Sequence, residues 1–561
     1  MSAARLTQVR LRRFKSIGEE EQTIDLRPLT VLIGRNSSGK STVIQSLLLL
    51  KQTLEDPRPE VQFSLQGNYV RATSLRELTH GWPDDVSHEG PEITLRWTSS
   101  SGPRFHARIA LWRRNMDQMP QASGTWAGWL LTEGARGWSG RQTTTEVSLA
   151  LTEVGGIVAP RSIVLRSFWP EREPQRSQMV ITWDAGMTPM ISWTDGTGNR
   201  RIKMDHFIPD IARPSMGERP REEDLLLGSV FDLLYADALR DLQQLLTGLN
   251  FIGSSREEIP PYYAKPAGLP SRTMLPGGGN APELLYGRQA ERVHYAALAG
   301  VTPDDTFTLP EQVVERSLKE AVTEILAHLG IDSRVSFQDV QELGLFRLLF
   351  GRAPLNHVGR GVGHVLPVLV AGLLADPLLG RQLSENPEVP LDEYLKQCPY
   401  AACLALEELE SHLHPKAQSR LAQVMLALAR SGRQLLIETH SDHLVRRLRS
   451  LVAHTAPGSE SERWLLENVG LVEVTQSPEG ATRLNQERLT REGSIERWPA
   501  DFMDEATDEE RAIYFAGTAK SPPEPLPAEE ALLRDAPSGD YAPSGDEEPS
   551  GDDAPSGDKE P

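Results

Sequence analysis

Residues 34–42, GRNSSGKST, set the architecture that we predict for this chain. They match the spacing G-x-x-x-x-G-K-[ST] of a phosphate-binding loop, and they lie between a strand-like run, LTVLI, and a run with helical propensity, KSTVIQSLLLLKQTLE. Gly34 and Gly39 let the backbone turn so that successive N–H groups point at phosphate oxygens. The helix that begins near Lys40 adds the positive end of its dipole. The stretch therefore predicts a binding site for a nucleoside triphosphate.

The side chains of this loop predict how the triphosphate is held. We expect Lys40 to neutralise the β- and γ-phosphates and the Ser41 hydroxyl to coordinate Mg²⁺. The predicted ligands are therefore ATP and Mg²⁺. The loop residues expected to surround them are Gly34, Arg35, Asn36, Ser37, Ser38, Gly39, Lys40, Ser41 and Thr42.

Two acids follow an apolar run in the stretch LALEELESHLHP, residues 404–415. A phosphate loop with Mg²⁺ needs a carboxylate at the end of a neighbouring strand. We expect Glu407 to hold the metal and its water shell, and Glu408 to orient or deprotonate the attacking water. Because acids also favour the first turn of a helix, an acidic helix start is the alternative interpretation. For Glu410, support of the site and a solvated acid both stay open.

A histidine lies just beyond the next apolar run, QLLIE at 434–438, which ends in THSDHL. The strand predicted there follows the acid-bearing strand in the chain. A histidine at the end of such a strand can contact the γ-phosphate. We therefore predict three catalytic residues, Lys40, Glu408 and His440.

The histidines and cysteines predict neither a zinc site nor a disulfide framework. His412 and His414 stand two residues apart with no cysteine nearby, which fits zinc poorly, and we expect them in a turn at a protein–protein edge. Cys398 and Cys403 are too few for a disulfide framework, and two free thiols suit a reducing cytosol.

The first residues lack the apolar core of a signal peptide, and no apolar run approaches the roughly 20 residues of a membrane helix. We expect a cytoplasmic protein that does not enter the membrane.

The net charge of −19 is concentrated in one segment. Residues 522–561 hold twelve acids against two basic residues, and they repeat PSGD at 537, 543, 549 and 555. We expect this tail to be disordered, as a solvating appendage or as an acidic lure. The rest of the chain carries about −9, so no global basic field argues for nucleic acid. The local basic stretches RLRRFK at 10–15 and RRLRS at 446–450 leave DNA open as a ligand.

The predicted sheet is interrupted along the sequence. Strand patterns near the N-terminus return beyond 340, at GLFRLLF, YAACLAL and RQLLIET, each followed by a helical pattern, which implies a mainly parallel α/β sheet. Between about 90 and 205 the alternating segments predict antiparallel strands. Eight of the eleven tryptophans lie there, either in the core or, alternatively, as a stacking platform for nucleic acid. Residues 222–250 and 310–330 predict amphipathic helices.

Together these motifs resemble the ATP-binding-cassette (ABC) ATPases of the SMC/RecF/OLD branch of AAA-type ATPases. The first 42 residues look like that branch's first strands and Walker A motif, and LALEELESHLHP looks like its Walker B motif and D-loop, usually hhhhDEPExHLHP. LLIETHSDHL resembles its H-switch, and HVGRGVGHVLPVL at 357–369 resembles its signature region, commonly VGxGxSQVLP. GSIERWPADFMDE at 493–505 is similar to a C-terminal segment of one subfamily.

The resemblance implies an α/β fold of the P-loop NTPase type, the ABC ATPase head, divided along the sequence. The predicted units are 1–90 (first part of the head), 91–220 (β-rich insertion), 221–335 (helical insertion or lid), 336–520 (second part of the head) and 521–561 (disordered tail). Heads of this family dimerise head to tail, so that the signature of one closes over the ATP of the other. Gly361, Gly363 and His364 are therefore expected to contact nucleotide. The resemblance also implies an effector partner, such as a nuclease encoded nearby, in DNA transactions or anti-phage defence, and an assembly of two or more copies.

The sequence departs from the family pattern at several positions. Glu407 replaces the usual Asp, Leu409 replaces a proline, and Gly363 and His364 replace Ser and Gln. The missing signature hydroxyl removes one hydrogen bond to the γ-phosphate, about 0.5–1.5 kcal/mol, which predicts slow turnover. A non-hydrolysing or very slow scaffold that uses ATP to assemble a complex is therefore the alternative function. An OLD-type nuclease is disfavoured because about 70 residues separate Leu444 from the tail, and a transporter cassette because LSGGQ is absent.

One further segment resembles a recurrent family pattern. NFIGSSREEIPPYY, residues 250–263, is similar to YLgPlRxxPxrxY. Its Arg256 is either an ordinary ion-pair partner at a strand end or a sensor of nucleotide or partner.

Overall fold

The fold is described from a computed structural model of the chain. The residues that it describes are 3–86, 90–100, 142–168, 177–183, 188–193, 199–210, 228, 231–298, 306–331, 334–383 and 388–496. The predicted tail, most of the segment 493–505 and five of the eight clustered tryptophans (Trp112, Trp126, Trp129, Trp138 and Trp169) lie outside these residues.

The described strands are numbered in chain order. They are β1 (Arg5–Arg12), β2 (Gln22–Asp25), β3 (Leu29–Ile33), β4 (Glu92–Ser100), β5 (Gln142–Val154), β6 (Ile157–Phe168), β7 (Ser177–Trp183), β8 (Pro189–Trp193), β9 (Asn199–Arg201), β10 (Lys203–Asp205), β11 (Ile208–Asp210), β12 (Asn250–Ile252), β13 (Tyr263–Ala264), β14 (Arg292–Ala296), β15 (Gln312–Ser317), β16 (Val335–Val340), β17 (Leu345–Phe350), β18 (Ala353–Pro354), β19 (Glu388–Pro390), β20 (Ala402–Glu407), β21 (Arg433–Glu438), β22 (Val469–Gln476) and β23 (Thr482–Glu487).

The described α-helices are numbered in the same way. They are α1 (Lys40–Leu54), α2 (Asp237–Thr247), α3 (Ala281–Gly287), α4 (Leu318–His328), α5 (Arg360–Leu374), α6 (Leu391–Gln397), α7 (Pro415–Arg430), α8 (Asp442–Ala453) and α9 (Glu460–Asn468).

The central sheet positions the site. Its strand order is β12-β20-β21-β3-β22-β23, in which the first five strands are parallel and β23 is antiparallel to β22. All residues of β3 and β21 are buried, as expected for a parallel sheet that is covered on both faces. Since parallel strands end at one edge, the loops after β3, β20 and β21 lie side by side. The predicted mainly parallel α/β sheet is confirmed.

A second, antiparallel sheet has the order β2-β1-β4-β5-β6-β7-β8-β9. It joins the first two strands of the chain to the strands predicted as an insertion, so the predicted boundary at residue 90 falls inside one sheet. The Trp97 side chain is buried in the core shared by this sheet and α1, and its Nε1 donates a hydrogen bond to the carbonyl oxygen of Ala238 over 2.8 Å. Trp97 is therefore a core residue and does not form part of a stacking platform.

Two predicted elements differ from the structure. Residues 310–330 do not form one helix, because Gln312–Ser317 pairs with β14 and β19 as a strand. The consecutive β-branched residues Val313 and Val314 favour this conformation, and the capping box of Ser317 and Glu320 then starts α4. The run GLFRLLF is a strand, but it belongs to a small antiparallel sheet with β13, β16 and β18 and lies outside the parallel sheet.

The segment predicted as a helical lid, 221–335, is of mixed structure. It contains β12, which lies at the edge of the central sheet, and β14 and β15 as well as α2 to α4. In its first part, a single π turn over Asp232–Ala236 leads into α2. Among the described residues, no helix combines the length and the apolar character that crossing a bilayer requires.

Candidate functional site

The phosphate loop adopts the turn that its glycines predict. Gly34, Ser37 and Gly39 have φ angles of 148°, 62° and 102°, which favour glycine or a short polar residue. A Cβ atom at Gly34 would collide with the carbonyl oxygen of Val474, and one at Gly39 with the Thr482 hydroxyl. The loop is therefore closely packed against β22 and β23, a support that the sequence patterns did not predict.

Lys40 lies at the start of α1 and is buried. Its Nζ donates hydrogen bonds to the carbonyl oxygens of Gly34, over 3.0 Å, and of Arg35, over 2.7 Å. Burial lowers the pKa of Lys40, while the nearby carboxylates of Glu438 and Glu408 raise it. The loop thus encloses a cation beside acids, which suits a triphosphate with a metal ion.

Ser41 contacts an acid that the sequence patterns did not single out. Its hydroxyl donates a hydrogen bond to Glu438 Oε2 over 2.8 Å. Glu438 is the last residue of β21 and pairs with Leu32 on one side and Glu407 on the other. It is buried, and burial raises its pKa, whereas the Ser41 hydrogen bond and Lys40 lower it. The available sequence signal was an acid at the end of a buried strand, directly before Thr439 and His440.

Glu407 ends β20, one strand further from the phosphate loop. Its Oε2 accepts a hydrogen bond from the backbone N–H of Ser254 over 3.1 Å, and its carbonyl oxygen accepts one from Arg256 over 3.0 Å. Burial, with Glu438 nearby, raises the pKa of Glu407 to about 7. Two acidic residues therefore lie side by side at the ends of neighbouring strands, in the kind of oxygen-rich environment that Mg²⁺ prefers.

Arg256 follows β12 and points towards the acids. Burial lowers its pKa to about 10, and Glu407, Glu408 and Glu410 oppose that shift. Its Nε and one terminal nitrogen are buried without a hydrogen-bond partner among the described residues. Arg256 is therefore more than a surface ion pair, because it contributes a desolvated guanidinium to the group of acids.

Glu408 lies in a sparsely populated backbone conformation. Its φ angle of 46° is uncommon for a residue with a side chain. Its backbone N–H donates to the carbonyl oxygen of Glu438 over 2.9 Å, and its Oε2 accepts from the Ser411 hydroxyl over 3.2 Å. The backbone thus leaves the strand sharply here and does not enter a helix, since α7 begins only at Pro415. His414 caps that helix by accepting from the Lys416 N–H.

His440 lies just beyond β21 and is partly exposed to solvent. Burial of part of the ring and the Lys40 ammonium lower its pKa, while Glu408 raises it. Lys40, Glu408 and His440, which were predicted from three distant motifs, are therefore electrostatic neighbours in the fold. Glu410 Oε1 holds the segment in place by accepting from the His440 N–H over 2.8 Å and the Thr439 hydroxyl over 2.7 Å. Glu410 therefore supports the site.

The predicted signature residues occupy the first turns of α5. A Cβ atom at Gly361 would lie 2.6 Å from the carbonyl oxygen of His412, and one at Gly363 would collide with Ile259. The rings of His364 and His412 pack edge to face with centroids 4.5 Å apart. No described hydrogen bond or ring contact joins these three signature residues to the phosphate loop. The signature instead packs against the turn after β20, the D-loop of the resemblance.

The residues present fit a magnesium ion bound together with a nucleotide. Within the described parts of the chain, no group of three or more His, Cys, Asp or Glu residues is arranged to hold a metal alone. Mg²⁺ at a nucleotide site usually takes one or two protein ligands and completes its shell with phosphates and water. The Ser41 hydroxyl and the carboxylates of Glu438 and Glu407 supply oxygens of that kind.

The two basic stretches differ in their surroundings. In the first, Arg10 forms an ion pair with Glu146 and Arg13 forms one with Glu19, so these charges are compensated. The second contributes to a cavity of about 480 Å³ between α7 and α8. Its lining residues are Lys416, Ser419, Arg420, Gln423, His443, Arg446, Arg447 and Ser450. We call this cavity the basic groove.

A family model matches two parts of the chain. Residues 29–105 and 347–446 match the model of the family described as "AAA domain, putative AbiEii toxin, Type IV TA system". These ranges contain the phosphate loop, the signature, the acids and His440. Among curated protein sequences, none matches this chain significantly.

Solved structures with a related arrangement include heads of SMC proteins. One is titled "Crystal structure of the SmcHead bound to the C-winged helix domain of ScpA" (11% identity, 87% of this chain and 98% of that chain covered, TM-score 0.36). A second is an Smc head domain with an extended coiled coil bound to the C-terminal domain of ScpA, from Pyrococcus furiosus (11% identity, 91% of this chain and 100% of that chain covered, TM-score 0.35). A third is the SMC head domain from Thermotoga maritima (10% identity, 86% of this chain and 98% of that chain covered, TM-score 0.30). These scores are too low to support a functional conclusion.

The family match and the geometry define the class of the protein. Residues 29–105 and 347–446 resemble an AAA domain, and the phosphate loop on a mainly parallel sheet is the fold of a P-loop NTPase. The predicted resemblance and α/β fold class are confirmed.

Proposed function

We propose that the chain hydrolyses ATP slowly and acts as a switch, closing head to tail with a second copy around ATP and thereby regulating a partner protein. The observation that supports this most is the electrostatic proximity of Lys40, Glu408 and His440. Together, a phosphate-binding cation, a carboxylate that can activate water and a histidine that can contact the γ-phosphate are suited to hydrolysis of ATP.

Each of these residues has a separate role in the proposed hydrolysis of ATP. The N–H groups of the loop and Lys40 bind the β- and γ-phosphates, since their charges are fixed before the substrate arrives. When bound, Mg²⁺ would be held by Ser41 with Glu407 or Glu438 nearby, and it would neutralise charge on the phosphates. Glu408 orients the attacking water and accepts its proton, and His440 donates a hydrogen bond to the γ-phosphate.

The signature residues support closure between two copies. The N–H groups in the first turn of α5, from Arg360 onward, are available to an anion at the positive end of the helix dipole. Gly361, Gly363 and His364 would contact the ATP of the opposite copy, as the family resemblance implies. Assemblies larger than a dimer are compatible with the same contact.

The partner is proposed from the resemblance and from charge. We propose an effector protein, such as a nuclease encoded nearby, in DNA transactions or anti-phage defence. DNA is a further proposed ligand, and the basic groove supports it. Lys416, Arg420, Arg446 and Arg447 line the groove, and the one lining-helix carboxylate, Asp442, is paired with Arg446.

The test is phosphate release from ATP by the purified protein, compared with Lys40→Ala and Glu408→Gln. We expect slow release by the wild type and none by either variant. Glu408→Gln should still bind ATP and should form a dimer on sizing with ATP, because it lacks only the water-activating group. Phosphate release by Glu408→Gln at the wild-type rate would contradict the proposal.

The alternative, a scaffold that binds ATP without hydrolysing it, is favoured by the packing of Ile259 at Gly363, where the family pattern has a serine. The same experiment separates the two functions. ATP-dependent dimerisation with no phosphate release from the wild type, alone or with DNA, would establish the scaffold.

A further inference from the structure

A carboxylate outside the predicted acid pair lies at the metal side of the phosphate loop. The Ser41 hydroxyl donates a hydrogen bond to Glu438 Oε2 over 2.8 Å, and Glu438 is 7% exposed. We propose that Glu438 is the outer carboxylate of the magnesium site, a positioning residue that holds the Ser41 proton so that a lone pair of the oxygen faces the metal. This inference rests on the proposed function, since it assigns a role at the same nucleotide site.

The sheet order explains why Glu438, and not Glu407, lies beside the Ser41 hydroxyl. Strand β21 lies directly beside β3, whose end leads into the loop, while β20 is one strand further. Neighbouring strands are about 4.8 Å apart, so Glu407 starts roughly that much further from Ser41. The Glu407 carboxylate is also engaged on its far side, by the N–H of Ser254 over 3.1 Å.

The chemistry of a hydroxyl ligand requires such a partner. A serine hydroxyl has one proton and two lone pairs, and a lone pair that binds a metal leaves the proton to be directed elsewhere. Groups that orient a metal ligand from behind typically change metal affinity by about 10–100-fold when they are removed. Glu438 accepts the Ser41 proton already, so the hydroxyl is oriented before the metal arrives.

The charge of Glu438 makes a second, distinct contribution. Before nucleotide binds, Lys40 balances Glu438 electrostatically. The phosphates of ATP compete for Lys40 and add negative charge beside the carboxylate, and Mg²⁺ offsets that repulsion. Loss of the carboxylate should therefore reduce the increase in ATP affinity that Mg²⁺ produces. It should not weaken the binding of ATP when Mg²⁺ is absent. A collapse of the loop would weaken both.

The experiment measures ATP binding by calorimetry in EDTA and across a Mg²⁺ series. The proteins are the wild type, Glu438→Gln, Ser41→Ala and the double variant. The matched control is Glu473→Gln, a carboxylate on β22, the strand on the opposite side of β3, where Glu473 pairs with Ile33.

We expect Glu438→Gln to need about 10–100-fold more Mg²⁺ for half of the gain in ATP affinity. Its ATP affinity in EDTA should equal or exceed that of the wild type. The double variant should lose clearly less than the sum of the two single losses, because the hydrogen-bond part of the Glu438 effect acts through Ser41. The control should behave as the wild type.

Three results would overturn the inference alone: an unchanged Mg²⁺ dependence in Glu438→Gln, an equal loss of binding with and without Mg²⁺, or additive losses in the double variant. Additive losses would mean that Glu438 contacts the metal or its waters directly. A wild type that binds no ATP in either condition would overturn the proposed function and this inference with it.

Discussion

Glu410 accepts a hydrogen bond from the backbone N–H of His440 over 2.8 Å, and this contact joins the turn after the acid-bearing strand to the predicted switch. The same oxygen accepts the Thr439 hydroxyl over 2.7 Å. Burial raises the pKa of Glu410, and its second oxygen has no hydrogen-bond partner among the described residues. A buried acid is costly, so its presence here indicates that the position of His440 matters.

Replacing Glu410 by alanine should reduce ATP turnover while leaving ATP affinity nearly unchanged. The change leaves the His440 N–H and the Thr439 hydroxyl without their acceptor, at about 1–3 kcal/mol for each buried group, and releases His440 from its position. Steady-state kinetics with varied ATP measure the split between kcat and KM. Glu410→Gln is the matched control, because its amide oxygen can still accept both hydrogen bonds. Equal losses in the two variants would show that the charge of Glu410, rather than the acceptor, is what matters.

A Glu407→Gln variant should be more stable than the wild type at pH 8 and of nearly equal stability at pH 4, in buffer without nucleotide or Mg²⁺. The pKa of Glu407 is raised from 4.5 to about 7 in the folded chain. Its contribution to stability is therefore complete below about pH 4.5 and is lost as the pH rises through about 7, where a buried charge forms. The glutamine stays neutral throughout and avoids this loss.

Thermal unfolding at the two pH values measures the effect, and the difference at pH 8 should be roughly 2 °C or more. The surface variant Glu60→Gln should leave both unfolding temperatures unchanged. A Glu407→Gln variant that is destabilised at pH 8 would mean that its charge is compensated in the folded chain, contrary to the direction of its pKa shift.

Much of the site could be predicted because its signals are local. The phosphate loop is a contiguous turn whose glycines and lysine are read directly from residues 34–42. The same holds for Glu407, Glu408 and His440, which lie at or within two residues of the ends of buried strands. Their mutual proximity followed from the rule that parallel strands end at one edge.

The remaining features depend on contacts between distant parts of the chain. Glu438 contacts Ser41 across 397 positions of sequence, so no local pattern could reveal its role. The support of the loop by Thr482, whose hydroxyl donates to the Ser38 carbonyl over 2.7 Å, is equally distant. The strand at Gln312–Ser317 was mistaken for helix because its amphipathic spacing suits both, and pairing with β14 and β19 decides the matter.

Restoring the signature serine should raise turnover only if Ile259 is reduced as well. A side chain at Gly363 would collide with Ile259, and overpacking of this kind costs about 1–3 kcal/mol. We expect Gly363→Ser alone to lower the unfolding temperature and to hydrolyse ATP no faster than the wild type. With Ile259→Ala added, the new hydroxyl can reach the γ-phosphate, and a hydrogen bond of about 0.5–1.5 kcal/mol should raise kcat roughly 2- to 12-fold.

Ile259→Ala alone is the control for this pair, and it should keep the wild-type rate. The measurement is phosphate release together with thermal unfolding for all three variants. A single Gly363→Ser variant that is faster and as stable as the wild type would show that Ile259 moves aside without cost.

The basic groove should bind nucleic acid through phosphate contacts, which makes binding depend on salt. Arg447 forms no described hydrogen bond or ion pair, and partial burial lowers its pKa. An Arg446→Ser/Arg447→Ser double variant should therefore bind duplex DNA more weakly, and the slope of log K against log salt should fall by about 1–2, because Asp442 already offsets part of the Arg446 charge. Titration of a labelled duplex at several salt concentrations measures both.

The control for the groove is an Arg12→Ser/Arg13→Ser variant, because Glu19 already pairs with both of those arginines. The control removes the same number of charges and should keep the wild-type slope. Equal reductions of the slope in both variants would show that the overall charge of the protein causes the effect. An unchanged slope in the groove variant would exclude Arg446 and Arg447 from the DNA contact. Only a loss confined to the groove variant identifies α7 and α8 as the surface that meets the phosphate backbone.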